Sequence, residues 1–150
     1  MKNIFTVCLC IVGSSLYGQE FLKHANEKKG VFIAGYDVVS YFNGNPQKGS
    51  DTFQYMHEGL TYWFVNSENK ETFVQNPDDY IPKYGGWCAY AMGETGEKVK
   101  IDPETYKIIG NELYLFYNFG KNNTLTYWNS NEQNLKPNAD KNWIKILNNQ

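Results

Sequence analysis

Three side chains in this sequence carry chemistry that could be used together: the thiol of Cys88, the imidazole of His57 and the carboxylate of Asp37. Thiolate and imidazole suit copper or zinc, and a carboxylate adds a hard oxygen ligand. His24, Glu58 and Asp102 are further donors in the same chain. No short spacing ties the set together, so only the fold can assemble it. Redox chemistry of the dithiol kind is excluded, because no C-x-x-C exists. Hydrolysis by a Cys/His pair needs an imidazole beside the thiol and a group to orient it, and nothing in the order of residues supplies one. The chain has no G-x-S-x-G and no H-E-x-x-H. "GETGEK" (Gly93 to Lys98) lacks the Gly-Lys-Ser/Thr ending of a phosphate loop and reads as a polar turn. A binding protein without catalytic activity is the expectation.

Cys88 stands in "YGGWCAYA", between two glycines and several rings. As a metal site, the corner would hold the sulfur as a ligand. As a structural corner, it would bury a small apolar residue where glycines let backbones come close. Tyr84, Trp87 and Tyr90 are the aromatics expected to line a groove for a small ligand or a partner. Their competing reading is a tyrosine-rich core with wet hydroxyls. For Asp37 the competing reading is an Asx turn or helix cap, and for His57 an exposed residue at a hairpin tip.

Bulk properties narrow the classes. The chain has 150 residues, enough for one domain with a core. Formal charge is −2, and all 14 basic residues are Lys. Without Arg or a basic excess, nucleic-acid recognition is not expected. Residues 1–18 read as an export signal: Lys2, an apolar run from Ile4 to Gly13, then small residues before Gln19. That run is too short to span a bilayer, so no stable membrane insertion is expected after cleavage, and the destination is periplasmic or secreted. Cleavage removes Cys8 and Cys10 and leaves Cys88 as the single cysteine, with no partner for an internal disulfide.

The elements that must position these groups follow. Residues 19–29 form a polar lead-in, and 30–147 the domain. "DTFQYMHEGLTYWFVN" alternates Phe53, Tyr55 and His57 against Leu60, Tyr62 and Phe64 around a Glu58-Gly59 turn, which predicts a hairpin. Asn66 or Ser67 caps a helix that turns Phe73 and Val74 inward and ends near Asn76-Pro77. A second hairpin turns at Gly110-Asn111. "NADKNWIKIL" predicts a C-terminal helix docking Trp143, Ile144 and Leu147. The fold class expected is α+β, a small antiparallel sheet of hairpins with short helices against it.

Several ordered motifs resemble the YHS domain, in its exported bacterial branch: "GYDVVSYF", "TYWFVNSENKETFVQNPDDYIPKYGGWCAYA", "KIDPETYKIIGNELYLFYN" and "NADKNW". The resemblance runs from about Gly30 to Trp143. It implies metal association, of the copper class, since such domains accompany heavy-metal transporters and sensors and some oxygenases. In metal-handling members a cysteine follows the strand's Phe and another sits near the helix start. Val65 and Asn69 occupy those positions here. His57 is the candidate for the histidine of the family's name.

Overall fold

A computed structural model describes residues 12–148. Most of the expected export signal, residues 1–11, lies outside the described residues. Its remainder enters α1 (Val12–His24). Among the described residues, no helix is long and apolar enough to cross a membrane.

The segment expected as a polar lead-in packs against the rest of the chain. Phe21 of α1 packs its ring 6.2 Å from Phe32 and 6.4 Å from Trp143. Ala25 is buried, and the Asn26 amide donates to the Gly85 carbonyl at 2.8 Å. A two-residue hairpin follows, β1 (Glu27–Lys28) and β2 (Val31–Phe32). Its turn residues Lys29 and Gly30 both have positive φ, as a tight primed turn requires. The boundary expected at Gly30 therefore falls inside that turn. Polarity hid this segment, because its few apolar groups are single anchors rather than a stripe.

β3 (Ser50–His57) and β4 (Leu60–Phe64) form the expected hairpin, with Glu58 and Gly59 at φ 47° and 84°. The sheet order is β1-β2-β4-β3, antiparallel except between β2 and β4. Leu60, Tyr62 and Phe64 point one way and are buried, as period-two alternation demands. α2 (Ser67–Gln75) is capped by Asn66, whose Oδ1 accepts the Asn69 amide at 2.8 Å. Phe73 faces the sheet with its ring 4.7 Å from Tyr62 and 5.2 Å from Phe64. Val74, expected inward beside it, is exposed, because neighbours on a helix lie about 100° apart and one face serves the sheet. A 3₁₀ turn over Pro77–Asp79 follows, with Pro at its start.

The second half is built on α3 (Ala89–Glu94), the hairpin β5 (Asp102–Ile109) and β6 (Glu112–Phe116), and the short pair β7 (Asn118–Phe119) and β8 (Asn122–Asn123). α4 (Thr124–Asn148) closes the chain, kinked at Asn131 and containing Pro137. It starts well before the expected helix. Ile144, expected to dock, is exposed, while Leu147 is buried and Trp143 half-buried. Two apolar clusters result. One gathers Phe32, Phe64, Phe73, Cys88 and Leu115; the other gathers Tyr84, Ala89, Met92, Phe116, Trp128 and Leu135. Cys88 and Ala89, adjacent in the chain, fall on opposite sides of that seam. The class is the expected one, α+β in a single domain.

Candidate functional site

The corner around Cys88 is made by backbone conformation. Tyr84, Gly85 and Gly86 run consecutively with φ of 56°, 60° and 78°. A Cβ on Gly85 would stand 2.7 Å from the Trp143 ring, and one on Gly86 2.6 Å from Ile33 Cγ2. Both glycines are therefore required twice, by φ and by space. Tyr84 holds a left-handed conformation that a side chain disfavours. Its ring is buried, and its hydroxyl donates to Asp140 Oδ1 at 2.9 Å. Burial, then the Asp140 hydrogen bond, push the Tyr84 hydroxyl well above the usual tyrosine range. The Trp87 indole donates to the His24 carbonyl at 2.6 Å. These two hydrogen bonds tie α4 and α1 to the corner.

The chain leaves this corner at Cys88, which is fully buried and caps α3 from its backbone: its carbonyl accepts the Met92 amide at 3.0 Å. Its sulfur accepts the Tyr117 amide at 3.3 Å and lies 3.4 Å from Thr124 Oγ1. The Thr124 hydroxyl has one proton, and that proton goes to the Tyr117 carbonyl at 2.9 Å. The thiol must then be the donor in its contact with Thr124. Tyr117 N–H, Cys88 S–H and Thr124 O–H form a closed ring of donors and acceptors returning to Tyr117. Every polar atom in it is used.

Asp37 is equally committed. It is fully buried, and its Oδ1 accepts the Val39 and Ser40 amides at 2.9 and 3.3 Å. Its Oδ2 accepts the Val65 amide at 3.0 Å and Asn69 Nδ2 at 2.7 Å. The Asx-turn reading is thus the local half of a longer tie that joins the turn to β4 and α2. Val65 and Asn69 are the positions where the YHS resemblance puts cysteines. The chain brings both to Asp37, but as amide donors.

His57 is half-buried, not the free tip residue of the simpler reading. Its ring meets Phe73 edge-on at 5.8 Å and Tyr62 at 6.3 Å, and its Nε2 is buried without a partner among the described residues. His24 Nδ1 lies 3.1 Å from Lys98 Nζ; burial first, then that ammonium, hold its imidazole below the usual histidine range. Asp102 bonds the Glu104 amide and the Thr105 hydroxyl in its own turn. Among the described residues, no three His, Cys, Asp or Glu side chains gather so as to hold a metal ion. Cys88, His57 and Asp37 each have their own separate neighbours. The residues present do not fit a copper or zinc centre built on them.

What the fold opens beside Cys88 is a cleft of about 330 Å³, with the thiol as its closed floor. Tyr90, Ala91, Val99, Tyr117 and Thr124 wall it, and Glu94 and Glu97 stand in its lining. Tyr90 is the one expected ligand-binding ring that takes part; it packs 5.6 Å from Tyr127. A second cleft of about 300 Å³ runs past Phe21, Tyr84 and Trp143. Sequence reasoning missed Glu94, Glu97 and Val99, because "GETGEKV" reads as a polar turn and only the tertiary fold brings it over Tyr117. Comparison with family models, with curated proteins and with solved structures finds no match to this chain.

A charged network flanks the second cluster and gives a pH prediction. Glu112 is held below its usual value of 4.5, first by the Tyr114 hydroxyl at 2.6 Å, then against desolvation by Lys83 at 2.9 Å. Glu132 is lowered first by its bond to Lys107, then against desolvation by the Trp128 indole. A carboxyl with a depressed folded value binds fewer protons folded than unfolded, so its contribution is present above 4.5 and lost as pH falls through the folded value. The share of the urea midpoint that these two groups supply should be level from pH 7 to 5 and decline below about 4.5. The double variant Glu112→Gln/Glu132→Gln should have lower stability at pH 7 and a shallower acid decline. An acid limb unchanged by the substitutions would remove these two groups as its cause.

Proposed function

We propose that this protein is an exported, non-catalytic binding module of the YHS type, which takes a small ligand in the cleft above Cys88, with Cys88 itself structural. The observation that carries the reading is the pairing of an open, largely apolar concavity with a thiol whose donor and acceptor are both spent on its floor. Small-ligand sites have this form, apolar walls with a few placed polar groups, at volumes of about 300–1,000 Å³. A metal-associated role with copper or zinc rests on the family resemblance, since the described residues supply no assembled ligand set. Export to the periplasm or exterior belongs to the proposal and rests on residues 1–18.

The test uses the full chain labelled with ¹⁵N and a library of small soluble fragments. Amide shifts should gather at Ala91, Val99, Tyr117 and Asn122, and Tyr90→Ala should weaken the fragments that cause them. In parallel, peptide mapping after maleimide treatment should find Cys88 unlabelled until denaturant is added, because a buried thiol without access does not react. Shifts confined to other surfaces would end the cleft reading. Copper or zinc purifying in stoichiometric amount, and lost on Cys88→Ser, would replace it with the metal reading.

A further inference from the structure

The charges around this cleft are unbalanced. Glu94 and Glu97 both lie in its lining, and the lining contains no Lys or His. Neither carboxylate has a salt-bridge or hydrogen-bond partner among the described residues. The two nearby lysines in sequence are engaged elsewhere. Lys98 reaches His24 Nδ1 at 3.1 Å, and Lys100 lies 4.5 Å above the Phe119 ring. Two tyrosine rings, Tyr90 and Tyr117, stand among the walls with the aliphatic Ala91 and Val99. Charge near the lining also reaches the Tyr90 hydroxyl, which burial and then Glu94 hold above the usual tyrosine range.

We infer that the ligand of this cleft is a small organic ammonium ion with apolar substituents, its charge facing Glu94 and Glu97 and its alkyl groups against Tyr90, Tyr117 and Val99. The inference rests on the cleft reading and adds the ligand's class. Tyrosine faces attract cations through the ring quadrupole, and quaternary ammonium groups are the ligands that such walls accept best. An anion would meet two carboxylates with no cation to offset them. A neutral ligand of the same shape would gain the walls and leave the charges unused. A bare metal ion would gain the carboxylates and waste the apolar walls.

The experiment compares choline with its neutral carbon isostere, 3,3-dimethylbutan-1-ol, by ¹⁵N shift titration of the full chain. Choline should bind about tenfold more tightly than the isostere, with shifts at Ala91, Val99 and Tyr117, and its binding should weaken as salt is raised. Glu94→Gln/Glu97→Gln should erase most of that preference and leave the isostere unchanged. Both side chains are exposed, so an unaltered melting temperature confirms that the variant is folded. Equal binding of choline and isostere overturns the ammonium inference and leaves the cleft reading standing. Binding of neither overturns the inference, and the fragment shifts then decide separately whether the cleft takes any ligand. Calcium displacing choline at the same amides would also overturn it, by assigning the carboxylates to a hard cation.

Discussion

Asp37→Asn will destabilise the protein by about 2–4 kcal/mol, and Asp37→Ala by about 3–5 kcal/mol, with or without a metal chelator present. The carboxylate accepts four N–H groups from three parts of the chain: Val39 and Ser40 in its own turn, Val65 after β4, and Asn69 in α2. A carboxylate is acceptor-only, so four donors suit it. An amide in its place can accept at one oxygen but turns N–H groups toward donors at the other. Leaving one buried donor unsatisfied costs about 1–3 kcal/mol, and bonds to a charged group are the stronger kind. Asn69→Ala removes a single one of these bonds and should cost about 1 kcal/mol. For a domain of this size, 3 kcal/mol lowers the melting temperature by roughly 10 °C. Urea and thermal melts in EDTA decide the matter. A loss under 0.5 kcal/mol would show that the ties carry little energy. A loss that appears only when metal is present would return Asp37 to the ligand set.

The legible parts of the fold were those specified by neighbours in the chain. Alternation around Glu58-Gly59 and Gly110-Asn111 fixes both hairpins, because φ signs at the turn and side-chain faces along the arms are local properties. Asn66 caps α2 for the same reason. The first half of α4 was not legible, although Trp128 and Leu135 are both buried there, seven residues or about two helical turns apart. Asn and Ser between them favour caps and turns over helix interiors, and Pro137 reads as a helix stop. Packing against α3 and β6 overrides those local preferences. The candidate site divides in the same way. The glycine corner and its cysteine stand out in the sequence because unusual backbone needs unusual residues. The destination of the sulfur's proton, and of Asp37's second oxygen, depends on Thr124, Tyr117, Val65 and Asn69, and no spacing foretells those pairings. The Trp87 and Tyr84 pairings are of the same kind; one donates to His24 and the other to Asp140.

Gly93→Ala sets two effects against each other, and the packing effect should win. Gly93 lies inside α3 with an ordinary helical φ, so alanine meets no backbone strain, and helix propensity alone favours the change by about 0.5–1 kcal/mol. The space is another matter. A Cβ there would stand 2.6 Å from the Leu135 carbonyl oxygen and 3.1 Å from its carbon, both backbone atoms of α4. Backbone cannot swing aside as a side-chain tip can, so α3 and α4 must separate by roughly half an ångström or more. Overpacking of this kind costs about 1–3 kcal/mol and occasionally more. Leu135, Met92, Ala139 and Trp128 share the cluster that would loosen. A net loss of about 2 kcal/mol is expected, read as a lower urea midpoint at unchanged slope. The same shift would move Tyr90, Ala91 and Glu94 on α3 relative to Thr124 at the head of α4, and these residues line the cleft from both sides. Ligand binding should therefore weaken in the variant even at temperatures where it is fully folded. A Gly93→Ala protein more stable than the parent would show that α3 and α4 are not in contact at this point, and the wall they form around the cleft would have to be redrawn.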